Sequence, residues 1–114
     1  MSFITSKSSG IVILYRWRVD PFLEDSFIES WSRIARLLKS ERGSLGSRLH
    51  RASDGLWYSY AQWPSERDRL KAFAAGSVDP EASECMDRAI VERFPEILLE
   101  SVADFLAPAL GSGT

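Results

Sequence analysis

The chain has 114 residues, 45% of them hydrophobic and 26% charged, with a formal net charge of −2. That is the size and composition of one globular domain with a core of its own. It argues against a nucleic-acid partner, because Lys and Arg alternate with Asp and Glu and build no basic face. Cys85 is the single cysteine, so neither an intrachain disulfide nor a zinc site can be written, and a reducing compartment is implied. The longest apolar run, at residues 11–15, is too short to span a bilayer. Residues 1–10 lack the apolar segment of a signal peptide. The expectation is a cytoplasmic protein without a membrane partner.

Residues 1–10 read as a loose arm, residues 11–106 as the domain and residues 107–114 as a frayed tail. Residues 11–19 are β-branched and aromatic and predict a strand, with Ile13, Tyr15, Trp17 and Val19 on one face. Asp20-Pro21 supplies a helix start: a capping carboxylate with proline at the first helical position. Leu23, Phe27, Trp31, Ile34 and Leu38 follow at helical spacing, and Gly43 ends that helix. Residues 45–52 and 56–63 are two strands around Asp54-Gly55, a strong hairpin signal, and Pro64 stops the second. Ser65 with Asp68 resembles a capping box for a short helix carrying Leu70 and Phe73 inward. Asp79-Pro80 repeats the cap-plus-proline signal for a further helix with Cys85, Met86, Ala89 and Ile90 on its apolar stripe, closed by Pro95. Residues 97–106 form the last strand.

The order βαββαβ, with a split second helical region, predicts an α+β ferredoxin-like fold: a four-stranded antiparallel sheet with helices on one face. The opposite face still carries large apolar groups, since the third strand has Trp57 and Trp63 on one side and Leu56, Tyr58 and Tyr60 on the other. A sheet that is apolar on both sides requires a second partner. A homodimer stacking two sheets into a dimeric α+β barrel supplies it.

Leu49-His50-Arg51, Asp54-Gly55 and the run Tyr60-Ala61-Gln62-Trp63-Pro64-Ser65-Glu66 resemble the antibiotic biosynthesis monooxygenase family, as do Phe27 and Trp31 in a long first helix. The resemblance follows element order over most of residues 11–106 and is specific for about twenty residues around the hairpin. It implies a dimeric barrel with a pocket between sheet and helices in each subunit. Some members oxidise polycyclic aromatic anthrones to quinones with dioxygen and neither flavin, haem nor metal. Others degrade haem through a histidine on the second helical region, and no histidine follows His50 here.

A two-residue Asp54-Gly55 loop pairs His50 with Ser59 and puts Arg48, His50, Trp57, Ser59 and Trp63 on one face; a three-residue loop shifts the pairing by one. The resemblance implies His50 as base or proton shuttle and Trp63 as a stacking or radical-stabilising ring. The anthrone-oxidising members have asparagine at Ser59 and tyrosine at Arg69, so Ser59 and Arg69 become the anion-stabilising candidates. Tyr15, Trp31, Phe73 and Arg88 complete the set as substrate-binding residues; the aromatic ones serve equally as core, and Cys85 as a buried structural thiol. The sequence holds no metal-ligand spacing and no phosphate-binding loop, so neither cofactor nor metal is expected. The expected activity is cofactor-independent oxygenation of an enolisable anthrone- or polyketide-like aromatic. A non-catalytic small-molecule-binding or scaffold role on the same fold is the alternative.

Overall fold

The computed structural model describes residues 10–107. The expected arm at residues 1–10 and tail at residues 107–114 lie outside them, except for Gly10 and Ala107. Strand β1 (Ile11–Val19) leads through a 3-10 turn (Pro21–Leu23) into α1 (Glu24–Glu41). Strands β2 (Gly46–Arg51) and β3 (Trp57–Trp63) form the hairpin, α2 (Glu66–Ala74) and α3 (Pro80–Ala89) follow, and β4 (Ile90–Arg93) and β5 (Ile97–Glu100) end the sheet. The antiparallel order is β2-β3-β1-β4, with β5 also on β1. This is the ferredoxin-like arrangement. None of the described helices is long and apolar enough to cross a membrane.

The helix starts follow the cap chemistry of the sequence. Asp20 accepts from the Phe22 amide, Ser65 from the Asp68 amide and Asp79 from the Ala82 amide, each satisfying a donor that the first helical turn leaves unpaired. Arg33 on α1 binds Asp79 at 2.7 Å and so ties α1 to the start of α3, which packs beside it. Two expectations fail here. Leu70 is 56% exposed and Phe73 46%, because α2 turns Arg69 and Ala72 inward. The helix carrying Cys85 and Met86 ends at Ala89, well before Pro95, because Ile90 opens β4 against Val19.

It is Pro95 that breaks the edge strand. It has no N–H for a ladder, and the chain skips there: β4 pairs with the Trp17–Val19 end of β1 and β5 with the Ile11–Leu14 end. Arg16 bonds the Pro95 carbonyl at 3.1 Å and the Phe94 amide bonds the Arg16 carbonyl at 3.1 Å, which fixes the break. The expected strand over residues 97–106 therefore stops at Glu100, and residues 101–107 carry no strand.

The core lies between the helices and one sheet face. Phe27 is fully buried, edge-on to both Trp17 (5.5 Å) and Trp57 (5.3 Å). A second cluster gathers Ile13, Ala61, Trp63 and Ala72. Gly10 sits where a Cβ would lie 2.1 Å from the Trp63 carbonyl oxygen, so only glycine lets the chain pass there into β1.

The hairpin register differs from the two-residue prediction. Ala52 pairs with Leu56 around a three-residue loop, and His50 lies opposite Tyr58 rather than Ser59. A tight two-residue turn of the mirror-image type needs positive φ at both central residues. Here Gly55 alone takes it, at φ +86°, while Asp54 does not. The Asp54 carboxylate instead accepts from the Leu56 amide (2.9 Å) and the Tyr58 hydroxyl (2.6 Å), an arrangement that secures the longer loop. Those bonds, the Tyr58 hydroxyl foremost, hold the Asp54 carboxyl below its ordinary pKa.

Candidate active site

The one-residue shift decides which side chains meet. Ser59 now faces Leu49 on β2 and Tyr15 on β1, and Ala61 faces Ser47 and Ile13. Alternation puts Tyr15, Trp17, Ser47, Ser59, Ala61 and Trp63 on the helix side. All six line a cavity of about 220 Å³, roofed by Trp31, Ile34, Ala35 and Leu38 of α1, Phe73 of α2 and Ser83, Met86 and Asp87 of α3.

Five of the eight candidates thus come together: Tyr15, Trp31, Ser59, Trp63 and Phe73. Trp63 is 1% exposed and tilts against Phe73 with centroids 5.8 Å apart, so it is at once core and cavity wall. Ser59 is buried, and its Oγ accepts from the Trp31 indole N–H at 3.1 Å. That leaves the hydroxyl proton for a second partner.

Arg69 stands one step behind the wall, and it is buried rather than solvated. Its guanidinium binds Glu66 (3.2 Å), the Glu96 carboxylate at the break in the edge strand, and the Tyr15 hydroxyl (3.4 Å). Burial pulls the guanidinium's pKa down, but the bonds to Tyr15 and Glu96 outweigh it and hold the group above its ordinary value, always charged. Burial likewise pushes the Tyr15 phenol up; the Arg69 bond offsets only part of this, so Tyr15 stays protonated through and beyond the neutral range. Of the buried side-chain donors, Arg69 Nε is one without a partner.

Two candidates lie elsewhere. His50 is exposed on the opposite sheet face, and the base role implied for it has no geometric support, because the register shift inverts the direction of its side chain. Arg88 is on the solvent side of α3, 67% exposed and within 3.9 Å of Glu84.

The ionisable pair at the cavity is one that the sequence did not single out. Asp87 of α3 and Arg93 of β4 both line it and bind each other. Met86 was visible in the apolar stripe of α3. Asp87 and Arg93 gave no signal, since their meeting depends on a short β4 that periodicity alone does not reveal. Among the described residues no group of His, Cys, Asp and Glu side chains is placed to hold a metal ion.

No family model matches the chain, and no curated protein matches it in sequence. Solved structures do match in shape. A conserved protein from Methanosarcina mazei superposes with a TM-score of 0.70 at 10% identity, over 87% of this chain and 98% of that one. A monooxygenase of Streptomyces coelicolor, solved with the ligand nanaomycin D, gives 0.66 at 21% identity over 94% and 100%. SnoaB, a cofactor-independent oxygenase from Streptomyces nogalater, gives 0.67 at 14% identity over 82% and 94%. At these identities the likeness speaks for architecture. The chain has the α+β ferredoxin-like fold found also in putative antibiotic biosynthesis monooxygenases from Caulobacter crescentus and Bordetella bronchiseptica.

Proposed function

We propose that the protein binds a flat, enolisable phenolic molecule in the helix-side cavity and oxygenates it with dioxygen without a bound cofactor. The observation that carries this reading is the cavity itself: Tyr15, Trp31, Trp63 and Phe73 wall a space whose floor holds the buried Ser59 hydroxyl. The oxygenases of the same fold support it. Aromatic walls hold a ring system by stacking and exclude water. The Ser59 hydroxyl and the protonated Tyr15 phenol are neutral donors that stabilise an enolate oxygen without leaving a buried charge of their own. The bound anion gives one electron to dioxygen, the radical pair joins as a peroxide anion, the proton taken from the substrate returns to make the hydroperoxide, and loss of water leaves a carbonyl: CH₂ plus O₂ gives C=O plus H₂O.

The proton must leave the substrate first. With His50 on the other face, the Asp87 carboxylate, at the solvent-exposed rim of the cavity and held there by Arg93, is the group that takes it. Oxygen uptake with anthrone, in chelator and without flavin, tests the reaction. Asp87→Asn is expected to lower turnover by roughly 10²- to 10⁴-fold, the span of a positioned acid–base group, and to leave anthrone binding unchanged. Binding without uptake would move the protein to the non-catalytic small-molecule-binding reading, which the absence of an imidazole from the described cavity wall favours.

The same reading includes a homodimer. The face away from the helices carries Val12, Leu14, Tyr58, Tyr60, Ile97 and Leu99. Beside it Val102, Phe105 and Leu106 are largely exposed, and Phe105 and Leu106 line with Tyr60 and Gln62 a cleft of about 540 Å³. A second copy stacked on that face would bury on the order of 2,000 Å² in total, as obligate dimers do. Light scattering at micromolar concentration is expected to give the mass of two chains; the mass of one would remove the dimer from the account.

A further inference from the structure

We infer that Trp31 is the specificity-determining residue that sets the length of the ligand, by closing off a second subsite between α1 and β2. The inference rests on the ligand-binding reading above and adds a size limit to it. The cavity of about 220 Å³ falls below the roughly 300–1,000 Å³ of pockets that hold drug-sized molecules. A second, solvent-open groove, of about 410 Å³, lies between Ile28, Trp31 and Ser32 of α1 and Ser47, Arg48, Leu49 and Trp57 of the hairpin. Trp31 from the helix and Ser47 from the strand line both spaces. Of these two, Ser47 is small. The indole is therefore the body of the partition.

The indole is also held. Its N–H donates to Ser59 Oγ at 3.1 Å, and Ser59 is itself buried on the central strand β3. A half-buried tryptophan without that bond would leave its N–H unpaired whenever it faced the cavity. With the bond, the closed position is the satisfied one. Trp57, at the far end of the second space, is fixed in the core by Phe27. That groove consequently has a rigid aromatic wall at Trp57 and the Trp31 indole as its partition from the cavity, the shape required to accept one more fused ring when the indole is removed.

The test is the affinity of three probes that differ in length: 2-naphthol with two rings, anthrone with three and a linear four-ring ketone, measured by calorimetry. The wild-type protein is expected to favour the two shorter probes over the four-ring ketone by about tenfold or more, equivalent to at least 1.4 kcal/mol. Trp31→Ala is expected to abolish that preference, binding the four-ring ketone more tightly and 2-naphthol more weakly than wild type does. Trp31→Phe, which keeps a ring but has no N–H, is expected to keep most of the size limit, and it stands in if the alanine variant does not fold by circular dichroism. Ser59→Ala, which removes only the acceptor, is expected to relax the limit partway. Binding of every probe with the same preference in wild type and all variants would overturn the partition and leave the ligand-binding reading standing. Binding of none of the probes to any of the proteins would overturn the ligand-binding reading and the partition with it.

Discussion

Replacing Arg69 by methionine separates a buried cation that organises the site from one that merely packs there. The side chain is 9% exposed and engages Glu66, Glu96 and Tyr15. Deleting one partner of a fully buried ion pair costs roughly 3–5 kcal/mol, because the other charge is stranded. Here the stranded groups are only half-buried, Glu66 at 44% and Glu96 at 47% exposure, and they regain water. Methionine keeps the aliphatic stem but loses the guanidinium that lies 5.7 Å over the Phe73 ring, and it removes the unpartnered Nε, which returns about 1 kcal/mol. The expected loss is therefore about 1–2 kcal/mol, which at a urea slope of about 2 kcal/mol/M moves the unfolding midpoint down by roughly 0.5–1 M. Combining Arg69→Met with Glu96→Gln in a double-mutant cycle isolates the pair. Wild-type stability in Arg69→Met, or a coupling below about 0.3 kcal/mol, would refute the view that Arg69 clamps α2 to the broken edge strand.

Tyr15 supplies a pH dependence. Its folded pKa is raised by burial above the unfolded value of 10, so it stabilises the fold fully below pH 10, and that contribution is lost as pH rises through the folded pKa. Tyr15→Phe is expected to flatten the alkaline limb of stability measured by urea unfolding between pH 9 and 11, and an unchanged limb would contradict the burial. Because the Arg69 bond pulls the phenol down, Arg69→Met is expected to move its ultraviolet titration further up. Phe27→Ala, in the contact of Trp17 and Trp57, is expected to cost roughly 3–5 kcal/mol and to leave a small domain close to unfolded at 37 °C by thermal melting. His50→Gln is expected to change stability by less than about 0.5 kcal/mol and to leave oxygen uptake with anthrone intact; a large loss of turnover would restore the imidazole to the mechanism.

The elements were legible where local chemistry fixes them. Asp20-Pro21, Ser65 with Asp68 and Asp79-Pro80 start helices because an oxygen at the cap satisfies amides that nothing else can reach. The face of β1 carrying Ile13, Tyr15 and Trp17 followed from alternation. The site was legible only in part, since its assembly depends on one residue in a loop. With Gly55 alone at positive φ, the hairpin shifts by one, Ser59 keeps its place beside Trp31, and His50 turns to the other face. Asp87 and Arg93 were invisible for a different reason: four residues of β4 follow the helix without a breaker, and their strand identity comes from pairing with β1. Arg69 stood as an anion-stabilising candidate, and only the Glu66–Arg69 spacing held a hint of its anchoring; the decisive partner, Glu96, comes from a break in a strand whose position only the fold defines.

The claim that the helix-side cavity binds a flat aromatic is tested most directly by following the four tryptophan indole N–H resonances by nuclear magnetic resonance during a titration with 2-naphthol. Trp17, Trp31 and Trp63 line the cavity, whereas Trp57 lies outside its wall. The account predicts large saturable shifts for Trp31 and Trp63, a smaller one for Trp17 and almost none for Trp57. Unmoved Trp31 and Trp63 signals at saturating ligand, or a shift confined to Trp57, would contradict it.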